Sequence, residues 1–162
     1  MVMGNVCTRA CKFCAVDTGN PNGWLDEDEP KNIADTIAFM SLEYVVLTSV
    51  DRDDLSDGGS SHIARCVDAS KKLSPDIVIE VLSPDFKGNI DHLDILLSSG
   101  LDVFSQNIET VERLTSSVRD PRAGYDQTLR MLSHSSEKGF VTKSGMMPVS
   151  YTHLTLPTIY SV

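Results

Sequence analysis

The sequence predicts an α/β fold in which about five parallel strands carry helices on their outer faces. One reason is that short apolar runs, rich in β-branched residues, alternate with segments of helical periodicity. Another is that acidic, glycine-rich or cysteine-rich segments follow these runs, where parallel strands would end. Both an open doubly wound sheet and part of a β/α barrel fit this pattern.

The predicted strands are continuous apolar runs, which indicates strands that are covered on both faces. They are Met1–Val6, Tyr44–Ser49, Ile77–Leu82, Val103–Ile108 and Phe140–Met147. The residues that follow them include the segments CTRACKFC, DRDDLSDGG and SPDFKG. Because active sites of such folds lie at the carboxyl ends of the strands, the arrangement favours an enzyme over a scaffold.

Helical periodicity fills the connections between these runs. The first helix should begin at Pro30, behind acidic residues that suit the positive end of a helix dipole, with Ile33, Ile37 and Met40 buried. The remaining helices are expected at Ser60–Leu73, Ile90–Ser99 and Tyr125–Lys138, with a shorter turn at Val111–Val118. In the Tyr125–Lys138 helix the apolar stripe is Tyr125, Leu129 and Leu132.

Length and charge restrict the class of protein. A chain of 162 residues suffices for one domain with a sizeable core. A net charge of −9 argues against a nucleic-acid partner, and no apolar run is long enough to predict a membrane span. The first residues lack a signal-peptide pattern, so we expect a cytoplasmic protein, or an organelle-matrix protein if a targeting segment precedes this sequence.

Three of the four cysteines form a CxxxCxxC motif, Cys7, Cys11 and Cys14. Three thiolates on one short loop suit three corners of an iron–sulfur cubane and leave one iron open to a further ligand. Arg9 and Lys12 lie between these cysteines and would offset the negative charge of such a cluster. A zinc-stabilised, non-catalytic module and a redox dithiol are the alternatives. Cys66 lies on the apolar stripe of a predicted helix and should be a buried hydrophobic residue.

With this motif after the first predicted strand, the chain resembles the radical S-adenosyl-L-methionine (SAM) superfamily. Six blocks resemble those of its lipoyl synthase family, in the same order: MGNVCTRACKFCAV, YVVLTSVDRDDLSDGG, SPDFKG, QNIETVERL, VRDPRAGY and TKSGMM. The resemblance implies an incomplete (β/α)6-type partial barrel. It also implies that Cys7, Cys11 and Cys14 hold a [4Fe–4S] cluster whose open iron binds SAM, with Phe13 beside the adenine.

The same resemblance implies roles for residues at the other strand ends. Thr48, Ser49 and Asp51 would contact the SAM ammonium, and Asn107 and Glu109 would contact the ribose hydroxyls. One of the cations Arg119, Arg122 and Lys143 would bind the SAM carboxylate, and Ser144 is a further candidate contact. The alternatives are that the acidic side chains cap the following helices and that the cations are ordinary surface charges.

For the family, the resemblance implies sulfur insertion at C6 and C8 of an octanoyl group carried by a lipoyl domain or the glycine-cleavage H protein. It further implies a reductant such as ferredoxin or flavodoxin, and an auxiliary [4Fe–4S] cluster that supplies the sulfur. Another radical SAM activity, such as that of a biotin synthase relative, and an inactive truncated fragment are the alternatives.

Two departures from the family pattern qualify these expectations. The CxxxxCxxxxxC motif of the auxiliary cluster is absent from this sequence, so we expect a fragment lacking both ends that cannot complete sulfur insertion alone. The segment 148–162, PVSYTHLTLPTIYSV, does not resemble the family. We expect it to be a sequencing or assembly artefact, which leaves 1–147 as the partial barrel.

Overall fold

A computed structural model describes residues 1–147, and the expectation for 148–162 concerns residues outside this range. The strands are β1 (Val6–Cys7), β2 (Asp17–Thr18), β3 (Tyr44–Thr48), β4 (Val78–Leu82), β5 (Val103–Ser105) and β6 (Val141–Lys143). The helices are α1 (Glu29–Met40), α2 (Ser60–Leu73), α3 (Ile90–Leu97), α4 (Glu112–Val118) and α5 (Tyr125–Glu137), with a single 3₁₀ turn at Phe86–Gly88.

The main sheet has four parallel strands in the order β3-β4-β5-β6. Tyr44 pairs with Val78, Glu80 with Val103, and Val103 with Val141. Consecutive strands are therefore neighbours throughout this sheet, with a helix-containing connection between each pair. The predicted α/β class and its parallel sheet are confirmed, and the arrangement is that of a partial barrel.

The first predicted strand is wrong in its extent. Val2 forms a single bridge to Ser49, and its amide donates to the carbonyl of Thr48 at 2.7 Å. Met3 and Gly4 then adopt φ values of 67° and 85°, which are incompatible with an extended strand. The chain therefore turns away from the sheet, and only β1 forms a parallel pair, with β2.

The helix bounds agree with the prediction to within two residues at each end, but two predicted stripes need correction. Met40 is the last residue of α1 and is 58% exposed, while Ala34 joins Ile37 on the buried face. In α5, Leu129 is 42% exposed and the buried residues are Thr128, Met131 and Ser135. The hydroxyls of Thr128 and Ser135 donate to carbonyls one turn earlier, so both side chains lie buried without an unsatisfied group.

The core lies between the outer face of the sheet and the helices. Ile79, Val81 and Phe104 point outward from β4 and β5 and pack among the buried residues of α2 and α3. Cys66 is fully buried in this core, as predicted. No helix within residues 1–147 is long and apolar enough to cross a membrane.

Candidate functional site

The carboxyl ends of the strands surround an open cavity of about 270 Å³. Several of the residues that line it were predicted site residues. These are Cys7, Cys11, Phe13, Cys14, Ser49, Asp51, Asn107, Glu109 and Arg119. Residues 80 or more positions apart in the sequence thus meet at the edge where the fold class places an active site.

The cysteines lie on the loop that joins β1 to β2. These strands pair Cys7 with Thr18, so the loop is closed at its base, and the amide of Cys14 donates to the carbonyl of Cys11 at 3.0 Å. Cys7 is buried, Cys11 is half-buried and Cys14 is exposed, and all three are free thiols. The loop therefore presents three sulfur atoms to one cavity without a disulfide between them.

Burial and hydrogen bonds from backbone amides act in opposite directions on the pKa of Cys7 and of Cys11. The amide of Arg9 donates to Cys7 Sγ at 3.4 Å, and the amide of Asp120 donates to Cys11 Sγ at 3.3 Å. Burial nevertheless raises the pKa of Cys7 and of Cys11 above the usual thiol value. Both thiols are therefore protonated at neutral pH, and a metal that binds them has to displace the protons.

Arg9 is held by carboxylates from two other strand ends. Its guanidinium donates to Asp53 from Nε and Nη2, each at 2.9 Å, and to Asp85 from Nη1 and Nη2, each at 2.7 Å. Arg9 is 4% exposed. Its charge is balanced by these acids, and that Arg9 offsets the charge of a cluster stays a prediction. Arg9 also ties the cysteine loop to the ends of β3 and β4.

A second attachment comes from the segment VRDPRAG. Asp120 accepts from the amide of Ala10 at 3.0 Å and from Nε of Arg122 at 2.8 Å. The amide of Lys12 donates to the carbonyl of Val118 at 2.8 Å, and Arg122 Nη2 donates to that of Thr8 at 2.5 Å. Hydrogen bonds donated by Arg122 hold the pKa of Asp120 well below its usual value. The cysteine loop is thereby fastened on its second side.

The acidic residues that follow β3 have different partners and surroundings. Burial raises the pKa of Asp51 to about 6, with the neighbouring Asp85 and Asp53 acting in the same direction and Arg9 opposing them. Asp54 instead forms an ion pair with Arg52, and Asp57 accepts from the amides of Gly59 and Ser61 at the start of α2. The capping alternative therefore applies to Asp57, whereas Asp51 faces the cavity.

Asn107 and Glu109 follow β5. Glu109 has a φ of 68°, unusual for a residue other than glycine, and burial raises its pKa while a hydrogen bond from Asn107 opposes this. A Cβ atom at Gly145 would lie 2.5 Å from Asn107 Oδ1, so a larger residue there would displace the Asn107 side chain. The TKSG segment thus contributes close backbone packing behind Asn107.

Three predicted contacts do not line the cavity. The Thr48 carbonyl accepts a hydrogen bond from the amide of Val2, and Ser144 Oγ accepts one from the amide of Ile108 at 3.3 Å. Lys143 Nζ lies 2.6 Å from Glu80 Oε2, on the inner face of the sheet. Of the candidate cations, Arg119 lines the cavity, while Arg122 binds Asp120 and Asp53 outside it.

The sequence analysis missed Gln106, which lines the cavity and is 2% exposed. Within residues 1–147, the buried side-chain polar atoms without a hydrogen-bond partner are Ser49 Oγ, Gln106 Nε2 and Oε1, and Arg119 Nε. All of these atoms belong to residues that line this one cavity. Such groups cost free energy when they are left unsatisfied, and here they concentrate where a ligand would satisfy them.

Comparisons with known proteins agree with this geometry. The model of the Radical SAM superfamily matches residues 1–156. The chain is 58% identical over 149 residues to a lipoyl synthase of Marinobacter nauticus. This match covers 91% of the present chain and 43% of the relative. A lipoyl synthase of Legionella pneumophila shows the same identity, with 45% of its length covered. The chain therefore spans less than half of the relatives it matches.

Among solved structures, the crystal structure of a methylornithine synthase superposes with a TM-score of 0.72. The match covers 90% of this chain and 43% of that protein, at 16% sequence identity. At this identity the comparison shows the fold, and it agrees with a partial barrel.

Proposed function

Because this chain belongs to the radical SAM superfamily, we propose that it is the SAM-cleaving core of a lipoyl synthase. The observation that carries the proposal is the meeting of Cys7, Cys11 and Cys14 with Asp51 and Asn107 in one cavity. The 58% identity to lipoyl synthases supports this choice among the activities of the superfamily.

The cysteine loop fits a [4Fe–4S] cluster. Cys7, Cys11 and Cys14 would hold three irons through their thiolates, and no histidine is among the described residues that line the cavity. The loop itself supplies three closely spaced sulfur donors and no fourth cysteine, which favours iron–sulfur ligation over a structural zinc site. When bound and reduced, the cluster supplies the electron for reductive cleavage of SAM.

The protein's own residues would bind and orient SAM. The Asp51 carboxylate, with a pKa of about 6, is ionised at pH 7 and would accept hydrogen bonds from the ammonium group. Arg119 Nε, which has no partner among the described residues, would donate to the carboxylate. Asn107 and Glu109 would bind the ribose hydroxyls, and Phe13 would pack beside the adenine. Ser49 Oγ is a further donor for the amino-acid end.

For the whole protein, we propose insertion of sulfur at C6 and C8 of an octanoyl group on a lipoyl domain or the glycine-cleavage H protein. Ferredoxin or flavodoxin would serve as the reductant. The sulfur-donating auxiliary cluster needs ligands beyond the residues assigned here. We therefore expect the present chain to cleave SAM without completing sulfur insertion.

Anaerobic reconstitution with iron and sulfide, followed by an assay of 5′-deoxyadenosine from SAM and dithionite, tests the proposal. We expect iron binding and product formation in the wild type, and loss of both in Cys7→Ala, Cys11→Ala and Cys14→Ala. Cys66→Ala is the matched control, because Cys66 is buried in the core away from the cavity. A chain that binds zinc in place of iron, or whose product formation survives Cys11→Ala, would refute the assignment.

A further inference from the structure

The carboxamide of Gln106 is buried in the cavity without a protein partner. The residue is 2% exposed, and neither Nε2 nor Oε1 has a hydrogen-bond partner among the described residues. A buried polar group in this condition lowers the stability of the fold, because its hydrogen bonds to water are lost and not replaced. Native proteins rarely carry this cost unless the group has a functional partner.

A purely structural role does not account for this side chain. The backbone of Gln106 is already fixed, because its amide donates to the carbonyl of Lys143 at 3.1 Å. Two buried carboxylates of the site, by contrast, are bonded: Asp85 binds Arg9, and Asp120 binds Arg122. Gln106 is thus an exception at the cavity wall, and an apolar side chain of similar length would occupy the same space without the unsatisfied atoms.

We propose that Gln106 is a ligand-binding residue of this site, whose carboxamide pairs with a ligand group that presents a hydrogen-bond donor beside an acceptor. A carboxamide offers the complementary acceptor and donor, which is why glutamine binds the edge of adenine with two hydrogen bonds. The inference deepens the proposed function and rests on it for the identity of the ligand. The adenine edge of SAM carries this chemistry. The N–H and C=O of the trans amide that links an octanoyl chain to lysine point in opposite directions, so that amide could form only one of the two hydrogen bonds.

The surroundings of the side chain agree with this assignment. The same cavity is lined by Leu82, Val16 and Phe13, which would shield a hydrogen-bonded edge from water. A hydrogen bond made in such a place discriminates strongly between ligands, because a ligand that lacks the matching groups leaves the carboxamide unpaired. Gln106 would therefore contribute to specificity as well as to affinity.

Gln106→Met tests the inference, because methionine approximates the length of glutamine and removes both polar atoms. Gln127→Met is the matched control, since Gln127 lies on α5 outside the cavity and donates to the carbonyl of Arg122 at 3.3 Å. The first measurement is the thermal unfolding midpoint of the metal-free chain. The second is the dissociation constant of the reconstituted chain for SAM and, separately, for an octanoyl-lysine peptide.

We expect Gln106→Met to leave the midpoint unchanged or to raise it, and to weaken SAM binding about tenfold or more. Weaker binding of SAM would identify the adenine as the partner, and weaker binding of the peptide alone would overturn the two-bond pairing. A lower midpoint than that of Gln127→Met would overturn the inference, as would unchanged affinity for both ligands. If the wild type binds neither ligand, the proposed function fails, and the midpoint of the metal-free variant still decides whether Gln106 is a structural residue.

Discussion

Two sets of polar residues lie at or next to the same cavity and differ in whether their polar groups are satisfied within the protein. The loop clamp, defined as Arg9, Asp53, Asp85, Asp120 and Arg122, consists of charges that satisfy one another across three strand ends. The cavity floor, defined as Ser49, Asp51, Gln106 and Arg119, holds unpartnered atoms and a carboxylate whose pKa is raised to about 6. Groups that position the cysteines are satisfied within the protein, whereas Ser49 Oγ, the Gln106 carboxamide and Arg119 Nε are left for a ligand. Asp51 is intermediate, because its Oδ1 lies 3.5 Å from Nη1 of Arg9.

The contrast has an energetic consequence. A satisfied buried network stabilises the fold only while all its members are present, so removal of one member is costly. An unsatisfied group already costs stability, so its removal should be neutral or favourable to the fold and harmful to binding. Clamp and floor substitutions should therefore change stability in opposite directions.

The largest effect on stability is expected for Arg9→Met. The substitution leaves the buried Asp85 without the guanidinium and leaves Asp53 with only the more exposed Arg122 and Lys87. Because the side chain of Arg9 is 3% exposed, the loss should cost about 3–5 kcal/mol. Equilibrium unfolding in urea at pH 7 measures this loss. Arg65→Met is the matched control, because the side chain of Arg65 is 50% exposed in its pair with Glu27. A loss below about 1 kcal/mol for Arg9→Met would contradict the clamp.

Asp51→Asn should have an intermediate effect of opposite sign in the metal-free chain. The pKa of Asp51 is raised from 3.8 to about 6, so the folded state holds its proton more tightly, and stability is lost as pH rises through this window. Above about pH 6 the full cost is present, on the order of 2–3 kcal/mol, and the amide removes it. Unfolding at pH 8 should show a more stable variant, with little difference from the wild type at pH 4. A destabilised variant at pH 8 would place Asp51 in the clamp.

The smallest effect is expected for Arg122→Ala. Its side chain is 46% exposed, so solvent screens its pairs with Asp120 and Asp53, and the loss should stay below about 1 kcal/mol. Asp120 would keep the hydrogen bonds from the amides of Ala10 and Arg122. The same urea titration measures the loss of unfolding free energy in Arg122→Ala. A loss as large as that of Arg9→Met would show that solvent exposure does not explain the difference between the two arginines.

Much of the fold follows from local sequence signals. The helix at Ser60–Leu73 and the strands around Val46, Ile79 and Phe104 were predictable because continuous apolar runs and helical stripes are properties of neighbouring residues. The first strand was not, because the positive φ of Met3 depends on packing: its side chain lies against Gly59, where a Cβ atom would come within 2.2 Å of its sulfur. Long-range contacts set that turn.

The site divides in the same way. Cys7, Cys11, Asn107 and Glu109 could be predicted, since each belongs to a short segment at a strand end. Gln106 gave no separate signal, because strand alternation places it on the face opposite to Asn107, and it reaches the cavity only where β5 has ended at Ser105. The ion pair between Arg9 and Asp85 joins residues 76 positions apart, so it could be found only once the fold was known.

The dissociation constant for SAM of the anaerobically reconstituted chain, compared between Asp51→Asn and Arg122→Ala, tests the distinction between floor and clamp most directly. Both variants should fold, since neither removes a fully buried ion pair. We expect Asp51→Asn to weaken SAM binding about tenfold or more, through loss of a charge-assisted hydrogen bond, and Arg122→Ala to stay within about twofold of the wild type. Equal losses in the two variants, or unchanged affinity in Asp51→Asn, would contradict this distinction.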